Sequence, residues 1–125
     1  MMESCPFCNM ESQRVVEKNT LFYAIRDKYP VTPLHTLIIP TRHVETYFDL
    51  DEKEVKAFDK MLKSQREEIL ARDQEVSGFN VGYNAGKDAG QTVMHCHVHL
   101  IPRRHGDVEH PEGGVRGVIP KKQKY

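Results

Sequence analysis

The stretch His95-Cys96-His97-Val98-His99-Leu100-Ile101 decides how this chain is read. Side chains on a strand point to opposite faces with a period of two. His95, His97 and His99 therefore share one face of an extended segment, while Cys96, Val98 and Leu100 share the other, as a buried core face would. A solvated sheet face accounts for one such histidine more readily than for three. A single tri-histidine metal site meets a geometric obstacle. At about 3.3 Å per residue, His95 and His99 start roughly 13 Å apart, whereas zinc needs each ring nitrogen at about 2.0–2.1 Å. Two neighbours could meet at one ion; all three could not. Catalysis remains. Imidazole is nucleophilic near neutral pH and forms covalent intermediates with electrophiles such as phosphorus. One nitrogen attacks while the other is held by a hydrogen bond that sets the tautomer, and a flanking histidine carries a proton or stabilises negative charge.

Just upstream, Asn84-Ala85-Gly86-Lys87-Asp88-Ala89-Gly90 reads as a loop. Gly86, Gly90, Gln91 and Thr92 offer unhindered backbone N–H groups and short polar side chains, as phosphate oxygens require. Alone, such a loop is only a turn. Placed before three histidines, it becomes a phosphate cradle. Residues 92–102 then form the last long strand, and residues 78–84 the strand before it.

Further out, residues 14–17 and 21–26 read as two strands joined by a hairpin turn at Lys18-Asn19-Thr20. Pro30 and Pro33 break the chain before a third strand, residues 35–40. Its core, Leu37-Ile38-Ile39, is continuously apolar, which marks an interior strand. From Asp51 to about Ala71 the period becomes helical. Val55, Phe58, Leu62 and Ile69, supported by Met61, form the inner face, while Glu52, Lys53, Lys56, Lys60, Lys63 and Glu67 form a solvated one. Asp49 or Asp51 could cap this helix. The result is an α+β domain with a mostly antiparallel sheet around one long helix.

The chain has 125 residues, enough for one core and too few for two. Hydrophobic residues make up 38% and charged residues 29%, the balance of an ordinary globular domain. Eighteen basic residues offset 18 acidic ones, so no overall field draws in nucleic acid or an anionic membrane. Recognition of phosphate must be local. The start, Met1-Met2-Glu3-Ser4, lacks the basic and apolar regions of a secretory signal, and no apolar run is long enough to span a bilayer. Three cysteines make no disulfide framework, so a reduced, cytoplasmic setting fits.

The run from Gly90 to Arg103 resembles the histidine triad (HIT) superfamily, whose signature is His-φ-His-φ-His-φ-φ with φ hydrophobic. Every position matches, and Cys96 is the least typical φ. Asp27 and the segment Pro33-Leu34-His35-Thr36-Leu37-Ile38-Ile39-Pro40-Thr41-Arg42-His43 look like the family's first half, so the resemblance runs from about Cys5 to Asp107. It implies a HIT-like fold with a further short helix, over a single domain 1–125. It also implies that His97 attacks the α-phosphorus to form a nucleotidyl-histidine, which water hydrolyses. His99 then contacts the phosphate and assists the leaving group, and His35 supports the triad from a neighbouring strand. Asn84, Gln91 and Thr92 hold phosphate oxygens or the leaving side, and Asp27 serves the ribose hydroxyls. Members are usually homodimers. Gln91-Thr92-Val93 and Pro102-Arg103-Arg104-His105-Gly106-Asp107 look more like the fragile-histidine-triad branch, which splits dinucleoside polyphosphates such as diadenosine tetraphosphate. The nucleotide-binding phosphoramidases more often have Ser where Thr92 stands and lack the Pro-Arg-x-x-Gly-Asp continuation. A purine nucleoside phosphoramidase is the alternative activity, and a nucleotide-binding module with little turnover is the alternative class.

Cys5 and Cys8 have the C-x₂-C spacing of zinc or redox sites. Some bacterial-type HIT proteins resemble this chain in pairing such cysteines with the histidine after the Ile-Pro strand, here His43, and the first histidine of the triad, here His95. That resemblance implies a structural zinc on a knuckle of residues 1–12. A reduced pair without metal is the plain alternative, and a redox role lacks a βαβ context. His95 would then serve structure rather than chemistry. Cys96, on the opposite face, is a small core residue. Residues 108–125, rich in Gly and Pro and basic at the end, read as an extended surface tail.

Overall fold

Lys18-Asn19-Thr20 turns the chain because Asn19 templates the turn itself. Its side-chain oxygen accepts the N–H groups of Leu21 at 2.9 Å and Phe22 at 2.8 Å. In the computed structural model, which describes residues 5–125, this turn joins β1 (Val15–Lys18) to β2 (Phe22–Arg26). β3 (Thr36–Pro40) pairs antiparallel with β2, setting Tyr23 opposite Ile39 and Ile25 opposite Leu37. All of β3 is buried, as its continuously apolar core requires of an interior strand. With β4 (Val76–Gly82) and β5 (Val98–Arg104), the sheet has five antiparallel strands in the order β1-β2-β3-β5-β4. The architecture is α+β, as the sequence pattern leads one to expect.

Helix α1 (Glu52–Arg72) starts where Asp51 and Glu54 form a reciprocal capping box. Phe58 and Met61 pack on Phe22, Ala24, Ile38 and Val98, and Ile69 packs on Val76 and Leu100. The inner face centres on Met61, with Val55 and Leu62 only half-buried at its flanks. Two polar residues, Glu54 and Gln65, share that face and are buried with partners. Glu54 accepts both Nε (3.0 Å) and Nη2 (2.7 Å) of Arg42, and Gln65 bridges Arg26 to Glu17. Helical periodicity alone does not find them, because their burial depends on cations and carboxylates from outside the helix.

The opposite sheet face carries Tyr23, Ile25, Leu37 and Ile39, covered by Phe7 and Met10 from the N-terminal segment. Where this cover stops, beside Ile25 and Leu37, a cleft opens. The expected strand over residues 92–102 is shorter, beginning at Val98. Its ladder with β3 reaches only from Leu100 opposite Thr36 to Val98 opposite Ile38. Pro40 has no N–H to extend that ladder. Its carbonyl instead accepts His95 Nε2–H at 2.8 Å, and Cys96 N–H goes to Val44 O at 2.7 Å. His95 and His97 therefore lie just before the strand and only His99 within it. The expected short helix takes the form of 3-10 turns, at Met10–Ser12, Tyr47–Asp49, Lys87–Ala89, Gly114–Val118 and Pro120–Lys122. The last two fold around Gln123, whose amide donates to the carbonyls of His110 and Glu112. Among the described residues, no helix is long and apolar enough to cross a membrane.

Candidate active site and metal centre

His35 enters the site through a strained turn. Residues 31–34 bend and turn, closed by His35 N–H on Thr32 O at 3.1 Å, and within the turn Leu34 takes a φ of 69°. For leucine this left-handed conformation costs on the order of 1–2 kcal/mol. The turn brings Val31 N–H to His35 Nδ1 at 3.1 Å. With Nδ1 accepting, neutral His35 carries its proton on Nε2. That Nε2–H donates to His99 Nδ1 at 2.9 Å, so His99 in turn presents its own Nε2–H. Burial pushes His99 down to about 4, and the neighbouring His97 and His35 rings add to the effect. Burial also lowers His35, with the Asp27 carboxylate opposing it. Near neutral pH both rings are uncharged, and the chain of bonds runs one way.

His97 is held by a separate bond. Its Nδ1–H donates to the main-chain carbonyl of His95 at 2.8 Å, which leaves the Nε2 lone pair free. The His97 and His99 rings lie 5.4 Å apart, centre to centre, and both line the cleft, whose volume is about 490 Å³. A free imidazole nitrogen beside a ring that offers an N–H is an arrangement suited to nucleotidyl transfer.

Asp27, Asn84 and Thr92 line the same cleft. Asp27 follows β2 directly, and its Oδ1 accepts Tyr29 N–H at 2.9 Å. Gln91 is placed differently. It is buried, its Oε1 accepts Gly86 N–H at 2.8 Å, and its Nε2 donates to the carbonyls of Glu45 and Val93. The expected cradle of glycine amides is also used internally, since Gly90 N–H goes to Lys87 O and Gln91 N–H to Gly86 O. Gly86 and Gly90, with φ of 97° and 96°, close this ring of residues. The loop is thus a rigid presenter of Thr92 and Val93. The sequence reading missed Phe7, Tyr29 and Val31 here. Phe7 and Tyr29 line the cleft, while Val31 acts through its amide, for which no side-chain signal exists.

On the far side of His97, the ligand atoms of Cys5, Cys8, His43 and His95 converge within 4.8 Å of one another. His43 Nδ1 is 3.1 Å from His95 Nδ1, and three of the Sγ–Nδ1 separations are 3.0, 3.4 and 3.5 Å. A tetrahedron with Zn–N of about 2.0–2.1 Å and Zn–S of about 2.3 Å has edges of about 3.3 and 3.6 Å. The donors also suit a metal. His95 gives its Nε2–H to Pro40 O, so Nδ1 is left as an acceptor, the usual arrangement of a ligating histidine. These four residues are grouped as the ligands of one metal ion would be. Asp27, His35 and His99 make a second convergent cluster, but its chemistry does not fit an ion. Because His35 Nδ1 accepts Val31 N–H, its Nε2 carries a proton and has no lone pair to give.

Comparison with known proteins bears on this site. The family profile described as the HIT domain matches residues 9–106. An uncharacterised 16.1 kDa HIT-like protein of Mycoplasma pneumoniae is 35% identical over 80% of this chain and 72% of its own length. An AP-4-A phosphorylase of Mycobacterium tuberculosis is 37% identical, covering 82% of this chain and 52% of that protein. A bis(5'-nucleosyl)-tetraphosphatase (asymmetrical) of Schizosaccharomyces pombe is 37% identical, covering 75% and 51%. The chain thus spans about half the length of these last two. Among solved structures, a hypothetical histidine triad nucleotide-binding protein of Sulfolobus tokodaii superposes with a TM-score of 0.75 at 36% identity, over 82% of this chain and 70% of that one. A Zn-bound histidine triad family protein of Mycobacterium smegmatis gives 0.72 at 34% identity, over 86% and 80%.

Proposed function

This chain belongs to the HIT family and is an enzyme of its hydrolase kind, and on that footing we propose that it splits dinucleoside polyphosphates such as diadenosine tetraphosphate through a nucleotidyl-histidine. The observation that carries this reading is the 2.8 Å bond from His97 Nδ1–H to His95 O, which leaves Nε2 as the only nucleophilic nitrogen of that ring. In the first step His97 Nε2 bonds to the α-phosphorus, and the bond from phosphorus to the leaving polyphosphate oxygen breaks. The leaving group departs as its anion. His99 Nε2–H donates to the phosphoryl oxygens as charge builds there, held to that role by His35. In the second step a water oxygen attacks the same phosphorus, its proton passes to solvent, and the P–N bond returns its electrons to His97.

The cleft suits such a substrate. Phe7, Ile25, Tyr29 and Leu37 line it and would wall a base, Asp27 would accept from ribose hydroxyls, and Asn84 and Thr92 would serve the phosphates. Gln91 serves by holding the loop that presents Thr92. The tetraphosphate substrate draws support from the two relatives whose names carry that chemistry. Zinc fits the metal site by donor type and by the M. smegmatis structure. Cys5, Cys8, His43 and His95 would hold it, and it would supply structure rather than chemistry. We also assign residues 1–125 to one HIT domain with a knuckle at 1–12, of which 1–4 lie outside the described residues, and a tail at 108–125. We infer further that it works as a cytoplasmic homodimer, as the family resemblance implies, without nucleic-acid or membrane partners.

The test is steady-state turnover of diadenosine tetraphosphate beside an adenosine phosphoramidate, with water and with inorganic phosphate as acceptors and with His97→Ala as control. The tetraphosphate should be cleaved faster, and the variant should lose turnover. Wild-type turnover by His97→Ala would remove the nucleophile assignment. Preference for the phosphoramidate would move the chain to that activity, and negligible rates on both would make it a binding module.

A further inference from the structure

The metal cluster and the nucleophile are joined by the shortest possible route. His95 is fully buried, and each of its ring nitrogens is committed, Nε2 to Pro40 O and Nδ1 to the cluster. The carbonyl of this same residue accepts His97 Nδ1–H. A second route runs through the knuckle. Phe7, between the two cysteines, meets the His97 ring edge-on at 5.1 Å and the His95 ring at 6.0 Å between centres. A third tie links the ligand-bearing segments, since Cys96 N–H bonds Val44 O, each one residue beyond a ligand histidine.

We propose that the metal held by Cys5, Cys8, His43 and His95 positions the nucleophile, by fixing the His95 carbonyl that sets the His97 tautomer and the Phe7 ring that sets its tilt. His95 is then a positioning residue, and the idea rests on the reading of His97 as nucleophile. A cation is what makes the packing tolerable. The Nδ1 lone pair of His95 faces His43 Nδ1 at 3.1 Å and two sulfurs at 3.4 and 3.5 Å. Without a shared positive centre, His95 Nδ1 is left with weak thiol donors and a second imidazole nitrogen in place of a metal bond, and the cluster is free to spread. The knuckle is the part freest to move, because the sheet core of Phe22, Ile38 and Val98 is held from the other face by α1; its departure removes the hold on His95 Nδ1 and leaves the ring with its Pro40 bond alone.

The consequence falls on rate more than on binding. Releasing the carbonyl lets His97 sample the other tautomer, in which Nε2 carries the proton and cannot attack. A misplacement of about 1 Å at the reacting atom costs about 100-fold, so kcat should fall between about 10- and 100-fold. KM should rise by less than kcat falls, because stripping shifts Phe7 alone of the residues that wall the base, while Ile25, Tyr29 and Leu37 and the polar residues Asp27, Asn84 and Thr92 lie outside the cluster.

The test compares zinc-loaded protein with protein stripped by a chelator under reducing conditions. Nitrogen-15 NMR of the histidine rings, with His97→Gln to assign the signals, reads the tautomer without any substrate. Loaded protein should show His97 in the Nδ1–H form alone. Stripped protein should show both tautomers, while the backbone amide signals of β2, β3 and α1 stay in place. Re-adding zinc should restore the single form and kcat together. An unchanged His97 ring in stripped protein would overturn the proposal. So would collapse of the sheet and helix signals, since the metal would then hold the whole fold rather than one ring. The ring signals stand even if no nucleotide is turned over, so failure of the substrate reading is distinguishable from failure of this one.

Discussion

Replacing His35 by phenylalanine isolates the bond that aims His99. The ring volume is kept at a position that is 2% exposed, so the core is not hollowed. Two hydrogen bonds go, one from Val31 N–H at 3.1 Å and one to His99 Nδ1 at 2.9 Å. The Val31 amide sits on an exposed residue and recovers water, while His99 Nδ1 is enclosed and does not. At roughly 1–3 kcal/mol for one stranded partner, stability should fall by about that amount. The effect on rate has two bounds. If His99 merely divides between its tautomers, the loss is about twofold. If the Nε2–H donor is lost altogether, removal of one such donor costs about 10²–10³ in kcat. The variant should fall between, at about 10- to 100-fold, with KM little changed. Stopped-time assays of diadenosine tetraphosphate cleavage give kcat and KM, and thermal unfolding gives the stability loss. A folded, metal-loaded His35→Phe with wild-type kcat would refute the idea that this bond sets the donor.

Stability should also depend on the same two histidines through pH. Both have folded-state values below the ordinary one, His99 at about 4, so folding favours their neutral forms. Their contribution is complete above the unfolded value of about 6.5 and is lost as pH falls toward 4. Urea midpoints of wild type should therefore decline over that window, and His99→Phe should decline less; equal slopes would count against it. Arg42→Ala should destabilise more than Glu54→Ala, by about 2–4 kcal/mol against about 1–2, because the first strands a buried carboxylate, whereas the second frees a half-exposed cation and gives up the Asp51 N–H bond of the helix cap. Equal midpoints in urea would contradict this order. The Arg42 pairing also holds Glu54 below the usual carboxylate range, so its stabilisation belongs to pH above that range and fades as the carboxylate is protonated. Gly90→Ala, at φ of 96°, should cost about 1–2 kcal/mol and reduce kcat/KM by disturbing the loop that presents Thr92. Unchanged melting and unchanged kcat/KM would show that the loop tolerates the strain.

The sequence by itself determined the elements that depend on local pattern. The apolar run Leu37-Ile38-Ile39 became an interior strand, the Asp51 cap began the helix, and Cys96, Val98 and Leu100 became core. These are periodicities of two or 3.6, which neighbouring residues carry among themselves. Alternation placed His97 and His99 in one cleft, and the cysteine spacing pointed to a cluster that the structure assembles. What tertiary structure decided is where each donor and acceptor goes. Pro40 ended the ladder early and turned His95 from the strand toward Cys5 and Cys8. Gln91 was drawn into the loop by Glu45, which is 46 residues away. The orientation of the histidines rests on main-chain groups, the Val31 amide and the His95 carbonyl. Every residue but proline has such an amide and every residue such a carbonyl, so residue identity cannot say which ones will meet a given ring. Only the folded chain brings those partners within hydrogen-bonding distance, and the direction of each bond then settles which nitrogen is free to react.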